Sequence, residues 1–162
     1  QNESVNFHPV KLLPVFIEAI EPYKLLLEQK KIHLTLPKEE HEWTTDRAML
    51  VRIISNLVSN AALYGSNEGD LTLSIEHTNE HCLIHVENDG PTIPLKDVPL
   101  LFEPFYQGQN RRQGPVKGSG IGLSIVHDAA ESLGATVTLS KNENHRVGFS
   151  VCLPISEHPI ND

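Results

Sequence analysis

Asp70-Leu71-Thr72-Leu73-Ser74-Ile75-Glu76-His77 is followed, after Thr78-Asn79-Glu80, by His81-Cys82-Leu83-Ile84-His85-Val86-Glu87-Asn88. Apolar and polar side chains alternate through both runs, the period of a strand with one face buried. A link of three residues joins them as neighbouring antiparallel strands, since a parallel crossover needs a dozen or more. Two further strands are expected at 136–140 and 147–153, one at Ile32-Leu34-Leu36 stopping at Pro37, and a short one around Trp43. Helical spacing of apolar residues predicts a helix over 9–30, with Pro9 in its first turn and Pro14 and Pro22 inside it. A second helix is expected from an N-cap at Thr45 or Asp46 to about Tyr64, with Leu50, Ile53, Ile54, Leu57, Ala61 and Tyr64 on one stripe. A short helix near 97–102 and a third at about 120–133, closed by Gly134, complete the pattern. Strands and helices mix without a βαβ rhythm, which predicts an α+β two-layer sandwich: three main helices on one face of a mixed, largely antiparallel sheet.

The 162 residues are 39% apolar and 21% charged, suited to a single domain with its own core, about residues 5–154. No apolar run reaches the length of a membrane helix. Thirteen Lys and Arg against 21 Asp and Glu give a net charge of −8, which disfavours nucleic acid as a partner. Cys82 and Cys152 are too few for a disulfide framework or a zinc site and read as plain thiols in a reducing compartment. A chain that begins at Gln1, with Met49 as its only methionine, reads as a portion of a longer protein.

Four features carry chemistry. Asn56 and Asn60 lie one helical turn apart, so both project from one face at the margin of the apolar stripe. Such amides either cap backbone groups or offer an oxygen to a hard cation such as Mg²⁺. Asn88 continues the inward face of Cys82, Ile84 and Val86, while Asp89 points the other way. The turn Gly90-Pro91-Thr92-Ile93-Pro94 follows, so Asn88 is either a turn residue or the floor of a pocket, where a carboxamide matches the donor and acceptor edge of adenine. Gly118, Gly120 and Gly122 alternate at the start of the third helix, where backbone N–H groups and the helix dipole favour an anion. No acidic residue stands between Glu103 and Asp128, while Arg111, Arg112 and Lys117 are basic. In a chain of net −8 that stretch is either a solvated basic loop or the place where a polyphosphate is tolerated.

Together these form a recognisable series. Asn56-Leu57-Val58-Ser59-Asn60-Ala61 with Tyr64, Asn88-Asp89-Gly90-Pro91-Thr92-Ile93, Leu101-Phe102-Glu103-Pro104-Phe105-Tyr106 and Gly118-Ser119-Gly120-Ile121-Gly122-Leu123 resemble, in order and spacing, the N, G1, F and G2 boxes of the catalytic ATP-binding domain of bacterial sensor histidine kinases. Residues 102–124 look most like the QseE/GlrK type. The resemblance implies an ATP-binding sandwich of the GHKL superfamily, with Mg²⁺ on Asn60, Asn56 beside the phosphates and Tyr64 near the nucleotide. Asn88 takes the adenine-reading place, with Gly90, Ile93, Phe105, Gly118, Gly120, Ile121, Gly122 and Leu123 around the ATP. The G2 glycines would hinge a lid that carries Arg111, Arg112 and Lys117, which with Asn56 would act on the phosphates during transfer. Three positions depart from the family pattern: Asn88 stands for an aspartate, Thr92 for a glycine, which puts a side chain next to the pocket, and Leu63 for a lysine, which removes a phosphate contact.

The phosphoacceptor motif is missing. His41-Glu42-Trp43-Thr44-Thr45-Asp46 lacks its basic residue and proline and lies in a strand-like stretch, so none of the nine histidines reads as an acceptor. The resemblance therefore implies half of an ATP:protein-histidine phosphotransferase, inactive alone, that donates the γ-phosphate to a histidine on a dimerisation domain preceding Gln1. A cognate response regulator would be the further partner. The domain is expected on the cytoplasmic side of an inner-membrane sensor, with no membrane contact of its own. Two other classes compete. A GHKL ATPase of gyrase or chaperone type would carry a general-base glutamate where Asn56 stands, and a non-catalytic nucleotide-binding module would follow if Thr92 and Leu63 weakened ATP binding.

Overall fold

The computed structural model describes residues 4–103 and 119–155, with residues 119–122 as backbone alone. The chain runs β1 (His8–Lys11), α1 (Leu12–Ile20), a 3-10 turn (Glu21–Tyr23), α2 (Lys24–Gln29), β2 (His33–Thr35), β3 (Glu42–Thr45), α3 (Arg47–Tyr64), β4 (Asp70–His77), β5 (His81–Asp89), a 3-10 segment (Leu95–Leu100), α4 (Ser119–Leu133), β6 (Thr136–Glu143) and β7 (Arg146–Pro154). Five strands form one sheet in the order β2-β4-β5-β7-β6, parallel only between β2 and β4, and β1 pairs with β3 in a small antiparallel sheet. Helix α3 packs between α1 and α4. The α+β two-layer arrangement is the one expected.

The expected helix over 9–30 is corrected. Pro9 lies in β1, opposite Thr44, and the helix begins only at Leu12. A 3-10 turn with Pro22 in its first turn separates α1 from α2, because a proline inside a helix removes one N–H and crowds the carbonyl four residues back. The short helix near 97–102 is the 3-10 segment Leu95–Leu100, with Pro99 inside it.

Of the two candidate caps, Asp46 is the N-cap. Its Oδ1 accepts from Met49 N at 3.0 Å, while Thr45 ends β3. Its Oδ2 accepts from Asn6 N at 2.8 Å, so one carboxylate ties the start of α3 to the N-terminal segment. Helix α3 then buries Met49, Leu50, Ile53, Ile54, Leu57, Val58, Ala61 and Ala62, a spacing that keeps one continuous face on the core. Opposite lie Leu71, Leu73, Ile84, Val86, Phe149 and Val151 from the inner sheet face. Cys82 is buried there too, and burial pushes its thiol up to about 12. Cys152 is half-buried and both cysteines are free, as the sequence reading expects.

Two backbone details shape the end of the sheet that carries the site. Strands β6 and β7 are joined by the two-residue turn Asn144-His145, with φ of 53° and 59°, the left-handed pair that tight hairpins need. A register shift between Leu139 and Lys141 interrupts β6. The extra residue changes the phase of the strand, so Asn142, opposite the buried Val147, takes an inward place that regular alternation would have given Lys141.

Candidate functional site

Helix α3 ends against the end of β5. Gly65 N donates to Ala61 O at 2.8 Å and Ser66 N to Asp89 O at 2.9 Å. Glycine is required at both ends of the junction, at Gly65 by the preceding turn of α3 itself and at Gly90 by the approach of α3 to β5. A Cβ on Gly65 would sit 2.5 Å from Ala61 O, and one on Gly90 would sit 2.9 Å from Tyr64 O and 3.0 Å from Asn88 Nδ2. From below, Lys30 Nζ donates to Ala62 O at 2.8 Å and Leu63 O at 3.0 Å, satisfying two of the last carbonyls of α3. Burial lowers the pKa of this ammonium.

The junction opens into a shallow cleft lined by Asn60, Tyr64, Asn88, Pro91, Ile93 and Val147. Asn88 is 8% exposed, the inward polar group expected at the end of β5. Its Nδ2 donates to Asp89 O at 3.0 Å, which fixes the orientation of the amide. Asp89 faces the other side of the sheet. Its Oδ2 accepts from Asp70 N at 2.8 Å and its Oδ1 from Arg146 Nη1 at 2.8 Å. These contacts, the Asp70 bond first, hold its carboxyl below the usual range against the opposing effect of partial burial.

Residues far apart in sequence thus come together: Asn60 and Tyr64 from α3, Asn88 from β5, and Pro91 and Ile93 from the loop that follows. Thr92 is exposed and does not line the cleft, so its side chain does not crowd it. Asn56, half-buried one turn before Asn60, is not among the lining residues, and its Nδ2 donates back to Arg52 O at 2.8 Å. Leu123 is 4% exposed within the core rather than beside the cleft. Gly90 is buried at the junction, and Gly120, Ile121 and Gly122 lie in the first turns of α4, where only backbone is described. Phe105, Arg111, Arg112, Lys117 and Gly118 lie outside the described residues.

Two contributors escaped the sequence reading. Val147 lines the cleft as an ordinary inward strand residue. Asn142 is bonded twice to the backbone of Ile93, and only the interruption of the β6 register brings it there. No alternation rule signals it.

The family profile described as "Histidine kinase-, DNA gyrase B-, and HSP90-like ATPase" matches residues 45–157. The chain is 30% identical over 157 residues to the sensor histidine kinase GlrK of Escherichia coli, an alignment covering 97% of this chain and 33% of that protein. The chain thus spans about a third of the length of that relative. Its fold is similar to that of ShkA, solved full-length in complex with AMPPNP, with a TM-score of 0.78 at 18% identity over 99% of this chain and 34% of that one. It is also similar to the histidine kinase ThkA, solved in complex with the response regulator protein TrrA, with a TM-score of 0.74 at 20% identity over 94% and 42% of the two chains.

Proposed function

The chain belongs to the histidine kinase-, DNA gyrase B- and HSP90-like ATPase family, as the catalytic domain of a sensor histidine kinase, and on that premise we propose that it binds Mg-ATP in the cleft beside Asn88 and donates the γ-phosphate to a histidine on a separate dimerisation domain. The observation that carries this reading is the convergence of Asn60, Tyr64 and Asn88 on one cleft walled by Pro91, Ile93 and Val147. An apolar wall with one oriented carboxamide suits a purine, whose ring faces are apolar and whose edge is polar.

Asn60 lies at the helix side of the same cleft. Its carboxamide oxygen is a hard ligand of the kind Mg²⁺ accepts, and no carboxylate lines the cleft among the described residues. That donor set fits an ion that keeps most of its waters and takes its other ligands from nucleotide phosphates. When bound, Mg²⁺ would neutralise charge on those phosphates. By the family resemblance, Asn56, Arg111, Arg112 and Lys117 are assigned to the phosphates. Phosphoryl transfer asks mostly for positioning and charge neutralisation from these groups, and the accepting histidine is the nucleophile.

Asn56 favours transfer over hydrolysis. Its amide is engaged with Arg52 O, and a carboxamide takes no proton from water, whereas an ATPase of this family needs a base at this place. We assign a cognate response regulator as the downstream partner, a role supported by the ThkA complex with TrrA. The proposal also places the domain on the cytoplasmic side of a membrane sensor, a reading supported by its sensor kinase relatives. No helix of the described residues is long and apolar enough to cross a membrane.

Calorimetry with ADP and a non-hydrolysable ATP analogue, paired with transfer of label from ATP to a supplied dimerisation domain, tests the reading. Binding together with transfer supports it. Binding with steady ATP hydrolysis and no transfer would move the chain to the ATPase class, and no binding would leave it a non-catalytic module.

A further inference from the structure

The loop after Asn88 forms one wall of the cleft, yet it belongs to no strand. Its backbone is held from the β6–β7 hairpin instead. Gly90 N donates to His145 O at 2.9 Å. Three residues on, Asn142 Oδ1 accepts from Ile93 N at 2.7 Å while Asn142 Nδ2 donates to Ile93 O at 2.9 Å. One carboxamide therefore satisfies both backbone groups of Ile93, as a neighbouring strand residue would, and few side chains other than Asn or Gln offer a donor and an acceptor at that spacing. Between the two tethers, Pro91 has no N–H and Thr92 faces outward. The position of Ile93, 8% exposed and lining the same cleft as Asn88, is thus set by Asn142.

We propose that Asn142 is a positioning residue that sets the purine selectivity of the cleft by fixing the backbone of Ile93. The proposal rests on the reading of this cleft as the nucleotide site. Asn88 alone discriminates weakly, because a carboxamide that turns over can meet the edge of guanine as well as that of adenine. Two restraints remove that freedom. The bond from Asn88 Nδ2 to Asp89 O holds the amide in one sense, and the wall that Asn142 holds at Ile93 is assigned the second part, exclusion of the additional exocyclic amino group of guanine. Asn142 supplies the second restraint without touching the nucleotide. Its inward place depends on the irregular β6 register between Leu139 and Lys141, so the irregularity acquires a use.

The test is calorimetric affinity for ADP and for GDP in the parent chain, Asn142→Ala, Asn142→Asp and, as a control for general destabilisation, Leu139→Ala on the same strand. In Asn142→Ala the preference for ADP over GDP should fall by about fivefold or more, in the range that small changes in an apolar pocket produce. Asn142→Asp keeps the shape and the acceptor but places an anion against Ile93 O, so it should lose as much. Leu139→Ala should lower the melting temperature and keep the preference. Unchanged preference in both Asn142 variants, or an equal loss in Leu139→Ala, would overturn the proposal. Should the Asn142 variants fail to fold, amide exchange in the parent decides. The Ile93 N–H should be protected without nucleotide, and rapid exchange there would overturn the proposal. A parent that binds neither nucleotide overturns the reading of the cleft and this assignment with it, whereas a parent that binds ADP with unchanged preference in the variants overturns this assignment alone.

Discussion

The guanidinium of Arg146 donates to Oδ1 of Asp89 at 2.8 Å on the outer face of the sheet, one residue beyond Asn88, which faces inward to the cleft. Adjacent residues of one strand thus divide two duties, Asp89 holding β5 to its neighbours and Asn88 offering an amide to ligand.

Asp89→Asn should therefore lower stability by about 1 kcal/mol near neutral pH, the cost of a weakened charge-assisted bond and a lost ion pair, and leave affinity for ADP nearly unchanged. The pH dependence has a fixed sign. The Asp89 carboxyl sits below its unfolded value, so its stabilising effect is complete above about pH 4 and is lost as pH falls toward the folded value. Melting temperatures of parent and variant should converge as pH drops through that window. A constant difference between them would contradict the assignment.

Gly90→Ala and Gly134→Ala should both destabilise, for different reasons. A Cβ on Gly90 meets Tyr64 O at 2.9 Å and Asn88 Nδ2 at 3.0 Å, so α3 and β5 must separate at a cost of about 1–3 kcal/mol. Gly134 has φ +71° with nothing within 4 Å, so its penalty is conformational, about 1 kcal/mol. Only Gly90→Ala should also weaken nucleotide binding, because only that site shares the cleft. Denaturant melts with parallel ADP titrations separate the two.

Asn60→Ala should remove most of the Mg²⁺ dependence of ATP-analogue binding while the circular dichroism melt stays close to the parent's, since Asn60 is half-buried beside the core stripe rather than within it. Titrations in Mg²⁺ and in chelator measure it directly. Equal affinity under both conditions in the parent would refute Asn60 as the metal ligand.

Replacing Arg111 and Arg112 together by Ala should leave ADP affinity nearly unchanged and slow transfer from ATP to a supplied acceptor domain. The two guanidinium groups are assigned charge-assisted bonds that form only when the γ-phosphate, which ADP lacks, stands beside the β-phosphate. Transfer at the parent rate would remove them from the reaction.

Much of this site is legible in sequence because strong local rules carry it. Asp46 precedes a stripe that only a helix can bury, which fixes the phase of Asn56, Asn60 and Tyr64. The alternation Cys82, Ile84, Val86 fixes Asn88 as inward. The N-terminal segment is less legible, since the apolar spacing over 9–30 counts residues and not backbone hydrogen bonds. Pro9 fits the first turn of a helix as well as the edge strand where it lies, and the break at Pro22 is visible only as a proline. Asn142 was out of reach for another reason. Its role follows from one extra residue in β6, and alternation carried past that point assigns the wrong face.

The central pairing of the sheet joins β5 to β7, with Asn88 opposite Val147, across a stretch of chain that includes all of α4. Hairpins such as β4–β5 and β6–β7 close short loops, but this seam closes a long one, and loop-closure entropy delays such contacts in folding. Both Asn88 and Val147 line the cleft, so the cavity straddles a join whose formation loop-closure entropy delays. During refolding, competence to bind nucleotide should therefore emerge with the final kinetic phase, after most helical signal has returned.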